Sequence, residues 1–398
     1  MTSRERVLKT LRHEEPDKIP IDFGAMRSTG IMGIAYNNLK KHLGISNGYT
    51  YIYDIEQQLA EIEPVMFERL QIDVIDLVNN FGRFQHDWNS WNLPDGSSCY
   101  IHESKYPVKY DNQWVLKNGD RIVARMPETS YYFDTIYHPL ETATSPSDIR
   151  DYRFHILTDE ELFDFETRAK FLFNETDLAI MGGFGGNILE LGQTLRGWEN
   201  FMVDLLANQS FAEDLMDAMT EAHLKNLKLF LQATGDYIQI IQFGDDLGTQ
   251  AGPQLSPDLY RELIKPRHEK IYTYAKKISN IYTFLHSCGS IYDLLPDIID
   301  AGIDIINPVQ TSAANMDPQR LKDEFGDKVT FWGGGIDTQS VLPNSNKEEI
   351  VLHVKERMDI FKPGGGFVFN QVHNIQANVR PENILAAYDA VIQNREYE

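Results

Sequence analysis

Short apolar runs rich in valine, isoleucine and phenylalanine recur along the chain. Each is followed by a cluster of glycine, asparagine or aspartate, and then by a stretch with helical spacing of apolar residues. Eight runs follow this order: 18–23, 73–78, 178–183, 237–243, 281–286, 303–308, 329–334 and 366–371. Helical spacing covers 55–69, 190–232, 257–278, 290–301, 317–325, 346–361 and 381–395. Repeated strand and helix units predict a (β/α)8 TIM barrel, with an open doubly wound sheet as the alternative.

One long stretch, 79–177, interrupts this rhythm because it is aromatic and polar. Within it, "YPVKYDNQWVLKNGDRIVARMP" has Asn118 and Gly119 between two alternating segments, which predicts a β-hairpin. An insertion between a strand and its helix lies over the C-terminal mouth of a barrel, where active sites form. We therefore expect one barrel domain over 1–398, with an N-terminal extension and an insertion over 79–177.

Charge narrows the classes of partner. Lysine and arginine number 37 and aspartate and glutamate 59, giving a net charge of −22. Such a charge repels nucleic acids and anionic membranes, and it favours a small molecule or a protein as partner. No apolar run approaches the roughly 20 residues that span a bilayer, and the N-terminus is polar. We expect a cytoplasmic protein, with a homodimer as the default assembly.

Polar side chains follow most of the predicted strands. The carboxyl ends of barrel strands share one pocket, so these residues are candidates for a single site. They are Arg27, Asn79, Asn80, Asn187, Glu190, Asp245, Asp246, His286, Cys288, Asn307, Asp337, Asn370 and His373.

The segment "HSCG" places two soft donors, His286 and Cys288, after the fifth run, and strand alternation points both to one side. His373 follows the eighth run. Catalytic zinc takes three protein ligands and keeps a fourth position open, which His286, Cys288 and His373 would allow. A structural cysteine beside a hydrogen-bonded histidine explains the same pattern, and the pattern alone favours that second interpretation. The other cysteine, Cys99, is expected to be an ordinary residue of the insertion.

Two consecutive acids, Asp245 and Asp246, follow the fourth run. Neighbouring residues of a strand point to opposite faces, so we expect one to face the pocket and the other to cap a loop or face solvent. The pocket-facing acid is a candidate acid, base or outer partner of a metal.

Six segments carry a family resemblance when taken in order. They are "SRERVLKTLRHEEPDKIPI", "LRGWENFMVDLLANQSFAEDLMD", "DDLGTQAGPQLSPDLYRELIKP", "LHSCGSIYDLLPDIIDAGIDIINPVQ", "WGGGIDTQSVL" and "NQVHNIQANVRPENI". Over nearly its whole length the chain resembles the uroporphyrinogen decarboxylase superfamily, and its pattern is most similar to the corrinoid-dependent methyltransferase branch. The resemblance implies a (β/α)8 barrel.

In that branch a His-x-Cys pair and a distant cysteine bind zinc. The resemblance thus implies zinc on His286 and Cys288, whereas His373 stands where the third cysteine would be. The decarboxylase branch holds its carboxylate-rich tetrapyrrole through an arginine-rich segment, and the matching segment here, "FGAMRSTGI", offers Arg27 alone.

These observations favour zinc-dependent methyl transfer between a small methylated substrate or thiol acceptor and a corrinoid protein. In this hypothesis Asp246 and Glu190 are the candidate catalytic residues. The candidates for substrate binding are Arg27, Asn187, Asn307 and Asn370. Decarboxylation of uroporphyrinogen type, and a non-catalytic barrel that binds a ligand or a corrinoid protein, remain the alternatives.

Overall fold

Seven parallel strands form the central sheet of the protein, whose computed structural model describes residues 1–79, 81, 87–127 and 130–397. They are β1 (Val74–Asp76), β2 (Ala179–Gly185), β3 (Ile240–Gly244), β4 (Tyr282–His286), β5 (Ile305–Asn307), β6 (Thr330–Trp332) and β7 (Phe367–Val368). Each strand pairs with its neighbour in the sequence. All seven fall on predicted runs.

The first apolar run, 18–23, pairs with both edges of this sheet. On one side Phe369 N–H donates to Pro20 O at 2.9 Å and Asp22 N–H donates to Phe369 O at 3.0 Å. On the other side Asp73 N–H donates to Ile21 O at 2.8 Å. The sheet is therefore curled in the manner of a TIM barrel. A doubly wound sheet reverses its strand order at a switch point, and the sequential order here does not.

A buried carboxylate, Asp73, reinforces this junction. Its Oδ2 accepts from Ile21 N–H at 2.9 Å and from Arg395 at 3.1 Å, and its Oδ1 accepts from Arg6 and from Ser3 Oγ, both at 2.6 Å. Asp73 and both arginines are buried. The first helix, the first strand segment, β1 and the C-terminal segment thus meet at one side chain.

The helices surround the sheet. They span Ser3–Leu11, Gly33–His42, Pro64–Leu70, Pro146–Asp151, Asp159–Glu175, Leu189–Arg196, Trp198–Ala207, Gln209–Thr234, Pro257–Leu259, Lys265–Ile278, Leu295–Asp300, Pro318–Phe325, Val341–Asn344, Lys347–Phe361 and Pro381–Asn394. Short 3-10 or π segments cover Arg27–Thr29, Glu103–Lys105, Tyr260–Ile264 and Tyr292–Leu294. None of the helices in the described ranges combines the length and the apolarity needed to cross a membrane.

Two predicted helices differ from the structure. The helix expected over 55–69 begins only at Pro64, because Leu59–Ala60 pairs as a strand with Tyr51–Asp54. The long helix expected over 190–232 is three helices. Gly197, at φ 85°, separates the first of these helices from the second, and Asn208 separates the second from the third.

The described residues of the stretch 79–177 contribute strands to two small sheets, of which the first is mixed and the second antiparallel. Trp88–Asn92 pairs with Ser98–His102, which joins Tyr51–Asp54 of the N-terminal region, and Val108–Tyr110, Gln113–Asn118, Arg121–Met126 and Asp134–Thr135 form a meander. Gln113–Asn118 and Arg121–Met126 are a hairpin with Gly119 and Asp120 in the turn, one residue later than predicted. The same stretch ends in the helix Asp159–Glu175, which leads into β2 and packs on Gln209–Thr234 through Phe165 and Phe230.

We expect Asp73→Asn to lower the free energy of unfolding by about 3 kcal/mol, because Arg395 loses the carboxylate it pairs with inside the protein. Urea unfolding followed by circular dichroism measures this. The matched control is Asp389→Asn, which removes a half-exposed pair with Arg69 and should cost at most about 1 kcal/mol. Equal costs for the two variants would contradict a role for Asp73 in closing the sheet.

Candidate metal centre

Three side chains that could bind a metal converge at the carboxyl end of the sheet, and we call His286, Cys288 and His373 the ligand cluster. His286 ends β4, Cys288 follows two residues later, and His373 follows the short strand Gln371–Val372. One ligand atom from each of the three lies within 4.8 Å of the other two. The Cys288 Sγ to His286 Nε2 distance is 3.4 Å, and the two imidazole centroids are 5.9 Å apart. Two imidazoles and one thiol match the ligand chemistry of a catalytic zinc site that leaves one position open.

The ring of His286 is oriented by Asn307. The Asn307 side-chain N–H donates to Trp332 O at 2.8 Å, so its Oδ1 faces His286 Nδ1 at 2.7 Å. An amide oxygen only accepts, which places the proton on Nδ1 and leaves the Nε2 lone pair directed at Cys288 and His373. Asn307 is only 1% exposed. It was predicted to bind substrate, and the structure places it behind His286 instead.

His373 is held in an unusual backbone conformation. Its φ is 64°, in the left-handed region that few residues other than glycine adopt. Burial, together with the neighbouring His286, lowers the pKa of His373 to about 4. The ring is therefore neutral at pH 7 and has a lone pair available to a metal.

Cys288 lies in a setting that disfavours a free thiolate. Burial raises the pKa of the Cys288 thiol well above its ordinary value, and the carboxylates of Asp246 and Glu190 add to the effect. A bound cation would reverse this balance, since a coordinated thiol loses its proton.

The two consecutive acids divide in the expected way. Asp245 is fully buried and accepts from the backbone N–H groups of residues 188, 189 and 190 at 2.8–3.0 Å, which caps the helix Leu189–Arg196, and from His268 Nε2 at 3.0 Å. Asp246 faces the pocket. Its Oδ1 accepts from Cys288 N–H at 2.7 Å and lies 3.7 Å from His286 Nε2.

Glu190 and Asn187 lie together near this acid. Asn187 Nδ2 donates to Glu190 Oε2 at 2.6 Å. Burial, followed by the charges of Asp246 and Asp245, raises the pKa of Glu190 to about 8. Glu190 therefore holds a proton at neutral pH.

Two cavities open on the ligand cluster. The first, which we call the acidic cavity, has a volume of about 520 Å³ and reaches His286 and His373. The acidic side chains among its described lining are Asp54, Asp76, Glu190 and Asp246, and the cations are Arg27 and Lys105. The second, which we call the amide cavity, has a volume of about 600 Å³ and reaches Cys288 and His373.

Arg27 lines the acidic cavity but is already paired. Its Nε lies 2.5 Å from Asp54 Oδ2, and Glu56 lies 4.0 Å from its guanidinium. Its charge is thus largely compensated before any ligand enters.

Other predicted pocket residues lie elsewhere. Asn370 is fully buried, and its Nδ2 donates to Asp22 O at 3.3 Å and to Gln371 Oε1 at 3.1 Å, away from both cavities. Asp337 accepts from the backbone N–H groups of Gln339 and Ser340 and orders the turn there. Asn79 donates to Ile62 O and accepts from Phe81 N–H. Asn80 lies outside the described residues.

The sequence reading missed Asp76, which ends β1 and lines the acidic cavity. Burial raises the pKa of Asp76 to about 7. A charged residue inside the predicted strand run 73–78 was the available signal. Tyr132 and the amide side chains of the second cavity were also missed, because their positions depend on loop paths.

Comparison with known proteins identifies related chains. A family model described as uroporphyrinogen decarboxylase (URO-D) matches residues 175–393. Two curated relatives, both described as methylcobamide:CoM methyltransferase MtaA, are from Methanosarcina barkeri and from its strain Fusaro. They are 26% and 23% identical over 208 residues, which is 51% of this chain and 57% of each relative. The match thus spans little more than half the length of these relatives.

A solved methyltransferase from Methanosarcina mazei shares the fold. It aligns with a TM-score of 0.60 at 17% sequence identity, over 99% of both chains.

We expect Asn307→Ala to weaken zinc binding roughly 10-fold to 100-fold, because His286 loses the acceptor that sets its tautomer. Competition with a chromophoric chelator measures the affinity. Ser28→Ala is the matched control, since Ser28 Oγ donates to the same Asn307 oxygen at 2.6 Å without touching the histidine through that bond. Equal losses for both variants would mean that the effect comes from general packing around Asn307.

Proposed function

Because the chain belongs to the uroporphyrinogen decarboxylase family, with a family match over more than half its length, we propose that it carries out zinc-dependent methyl transfer between a small methylated substrate and a corrinoid protein. The supporting observation is the cluster of His286, Cys288 and His373 where two cavities meet. The curated relatives named as methylcobamide:CoM methyltransferases support the same class of reaction.

His286, Cys288 and His373 would hold the zinc, which when bound supplies Lewis acidity toward a heteroatom of the substrate. Asn307 keeps the Nε2 lone pair of His286 aimed at the cluster. Asp246 holds the Cys288 loop through its backbone N–H. Glu190 is the side chain suited to carry a proton to or from the substrate, since its pKa lies near 8 through burial.

The ligand set favours one direction of transfer. A neutral His373, where the resemblance implies a cysteine thiolate, makes the site one charge unit more positive. This strengthens a Lewis acid and weakens the activation of a bound thiol. We therefore take the small molecule, a methyl ether, amine or thioether, as the methyl donor and the corrinoid protein as the acceptor.

The acidic cavity argues against decarboxylation of a tetrapyrrole rich in carboxylates. Such a substrate requires cationic partners, since an unpaired buried charge is costly. Among the described residues of this cavity the guanidinium of Arg27 is already paired with Asp54, and acidic side chains outnumber cations four to two. Release of carbon dioxide from uroporphyrinogen would overturn the methyl-transfer proposal.

We expect about one zinc per chain in the parent protein and little in Cys288→Ser, because the thiolate is the charged ligand of the set. Elemental analysis of zinc-replete, purified protein measures this. Cys99→Ser is the matched control, since Cys99 is the other cysteine and is buried in a strand of the 79–177 stretch. Zinc retained by Cys288→Ser, or absent from the parent, would contradict the proposed zinc site.

We expect Cys288→Ser and His286→Ala to abolish methylation of a cobalt(I) corrinoid by methylated donors, with Cys99→Ser active at the parent rate. The appearance of methylcobalt absorbance follows the reaction. Full activity in a zinc-free His286→Ala protein would remove zinc from the mechanism.

A further inference from the structure

The two cavities that meet at the ligand cluster differ in chemistry. The acidic cavity carries most of the charged groups near the site. The described lining of the amide cavity contains no aspartate, glutamate, lysine or arginine, although the chain carries a net charge of −22. Carboxamide side chains supply most of its polarity: Gln250, Gln310, Gln339, Asn374, Gln376 and Asn378. An uncharged polar wall indicates an occupant that is itself polar and uncharged.

One wall is a chain of amides that starts beside Cys288. The Gly289 N–H donates to Gln310 Oε1 at 2.8 Å, and Gln310 Nε2 donates to Gln250 Oε1. Gln250 Nε2 in turn donates to Gln339 Oε1 at 3.3 Å. Every bond runs in the same direction, so the amide N–H groups of the exposed Gln339 form the outer end of the chain. We call Gly289, Gln310, Gln250 and Gln339 the amide relay.

The facing wall is built from a second set of amides and a tyrosine. Tyr132 OH donates to Asn374 Oδ1 at 3.0 Å, and Gln376 Nε2 donates to Tyr132 OH at 2.6 Å. Asn374 Nδ2 donates to Gln57 Oε1 at 2.6 Å. These bonds pre-orient the wall before any ligand arrives, and the exposed Asn378 lies at its edge.

We propose that the amide cavity receives the rim of the corrin ring carried by the partner protein, while the acidic cavity holds the small methylated substrate. This inference rests on the proposed function. A corrin ring carries neutral carboxamide side chains around its rim, and each of them both donates and accepts. Carboxamides on the protein satisfy both roles without burying an unpaired charge.

The placement of the cavities fits the geometry of displacement at carbon. The two reactants must approach the methyl carbon from opposite faces. Cys288 lines the amide cavity, His286 lines the acidic cavity, and His373 lines both. The cluster therefore borders both cavities, so a substrate in one and a corrin ring in the other would both reach it. The volume of the acidic cavity, about 520 Å³, suits a small molecule.

The test measures binding of free aquocobalamin to the zinc-loaded protein by equilibrium dialysis. Gln339→Glu and Asn378→Asp place a carboxylate of nearly unchanged shape at the two exposed rims. Gln250 and Gln310 are left intact because they support the Cys288 loop. We expect each variant to raise the cobalamin Kd roughly tenfold. Gln339→Glu puts an acceptor where the outer N–H of the amide relay stood, and Asn378→Asp puts a negative charge in a cavity whose described lining carries no acid or base of the Asp, Glu, Lys or Arg type.

Two controls make the result specific. Gln232→Glu alters an exposed glutamine on the helix Gln209–Thr234 and should bind cobalamin like the parent. Asp76→Asn alters the acidic cavity and should also leave the cobalamin Kd unchanged. Zinc content is measured in every sample. A variant that loses cobalamin affinity but keeps its zinc has lost a docking contact, and its metal site is intact.

The opposing outcomes are distinct. If Gln339→Glu and Asn378→Asp bind aquocobalamin like the parent, or if Asp76→Asn is the variant that weakens binding, the assignment of the amide cavity is wrong while methyl transfer can stand. If the parent holds zinc and methylates a corrinoid protein at a rate that neither rim variant changes, the assignment is wrong again. A parent with no zinc and no methyl transfer overturns the proposed function and this inference with it.

Discussion

Residues 20–22 hydrogen-bond to both edges of the parallel sheet, and the rest of the structure depends on this closure. Without it, β1 and β7 would be open edges, and the residues that follow the strands would not face one another. Asp73 secures the junction with two buried arginines and a backbone N–H. Burial of several charges adds little net stability, because desolvation offsets their attraction. Removal of one member destabilises the fold strongly, because it leaves a buried charge without a partner. The closure therefore depends on several segments that share one side chain.

At the other end of the barrel, two adjacent carboxylates order the loops of the candidate site. Asp245 caps the helix that carries Glu190, and Asp246 holds the backbone of Cys288. One strand end thus sets the positions of Glu190 and Cys288, the proposed proton carrier and one of the proposed metal ligands. Since both carboxylates bind backbone N–H groups, the loops are fixed by their main chains. The side chain of Glu190 lines the acidic cavity, and that of Cys288 lines the amide cavity.

The electrostatics of the site would be balanced by a bound cation. The burial that raises the pKa values of Glu190, Asp76 and the Cys288 thiol, together with neighbouring carboxylates, disfavours further negative charge. His373 is neutral for a related reason, because burial and His286 disfavour its protonation. The amide cavity shows the opposite solution. Its described lining is polar and contains no aspartate, glutamate, lysine or arginine. The ligand cluster thus borders two cavities of different chemistry.

The sequence by itself determined the positions of the seven strands and the order of their ends, and it proposed His286, Cys288 and His373 as candidate metal ligands. Short apolar runs and a His-x-Cys spacing depend on neighbouring residues alone. It also predicted that Asp245 and Asp246 would divide their roles. Only the tertiary structure decided which acid faces the pocket, that Asn307 orients His286, that Asn370 is buried away from the site, and that Asp76 belongs to it. These outcomes depend on strand register, on the left-handed backbone at His373 and on side-chain hydrogen bonds between segments far apart in the chain, such as Gln57 to Asn374. No local pattern encodes contacts of that range, because each is set by how the whole barrel closes.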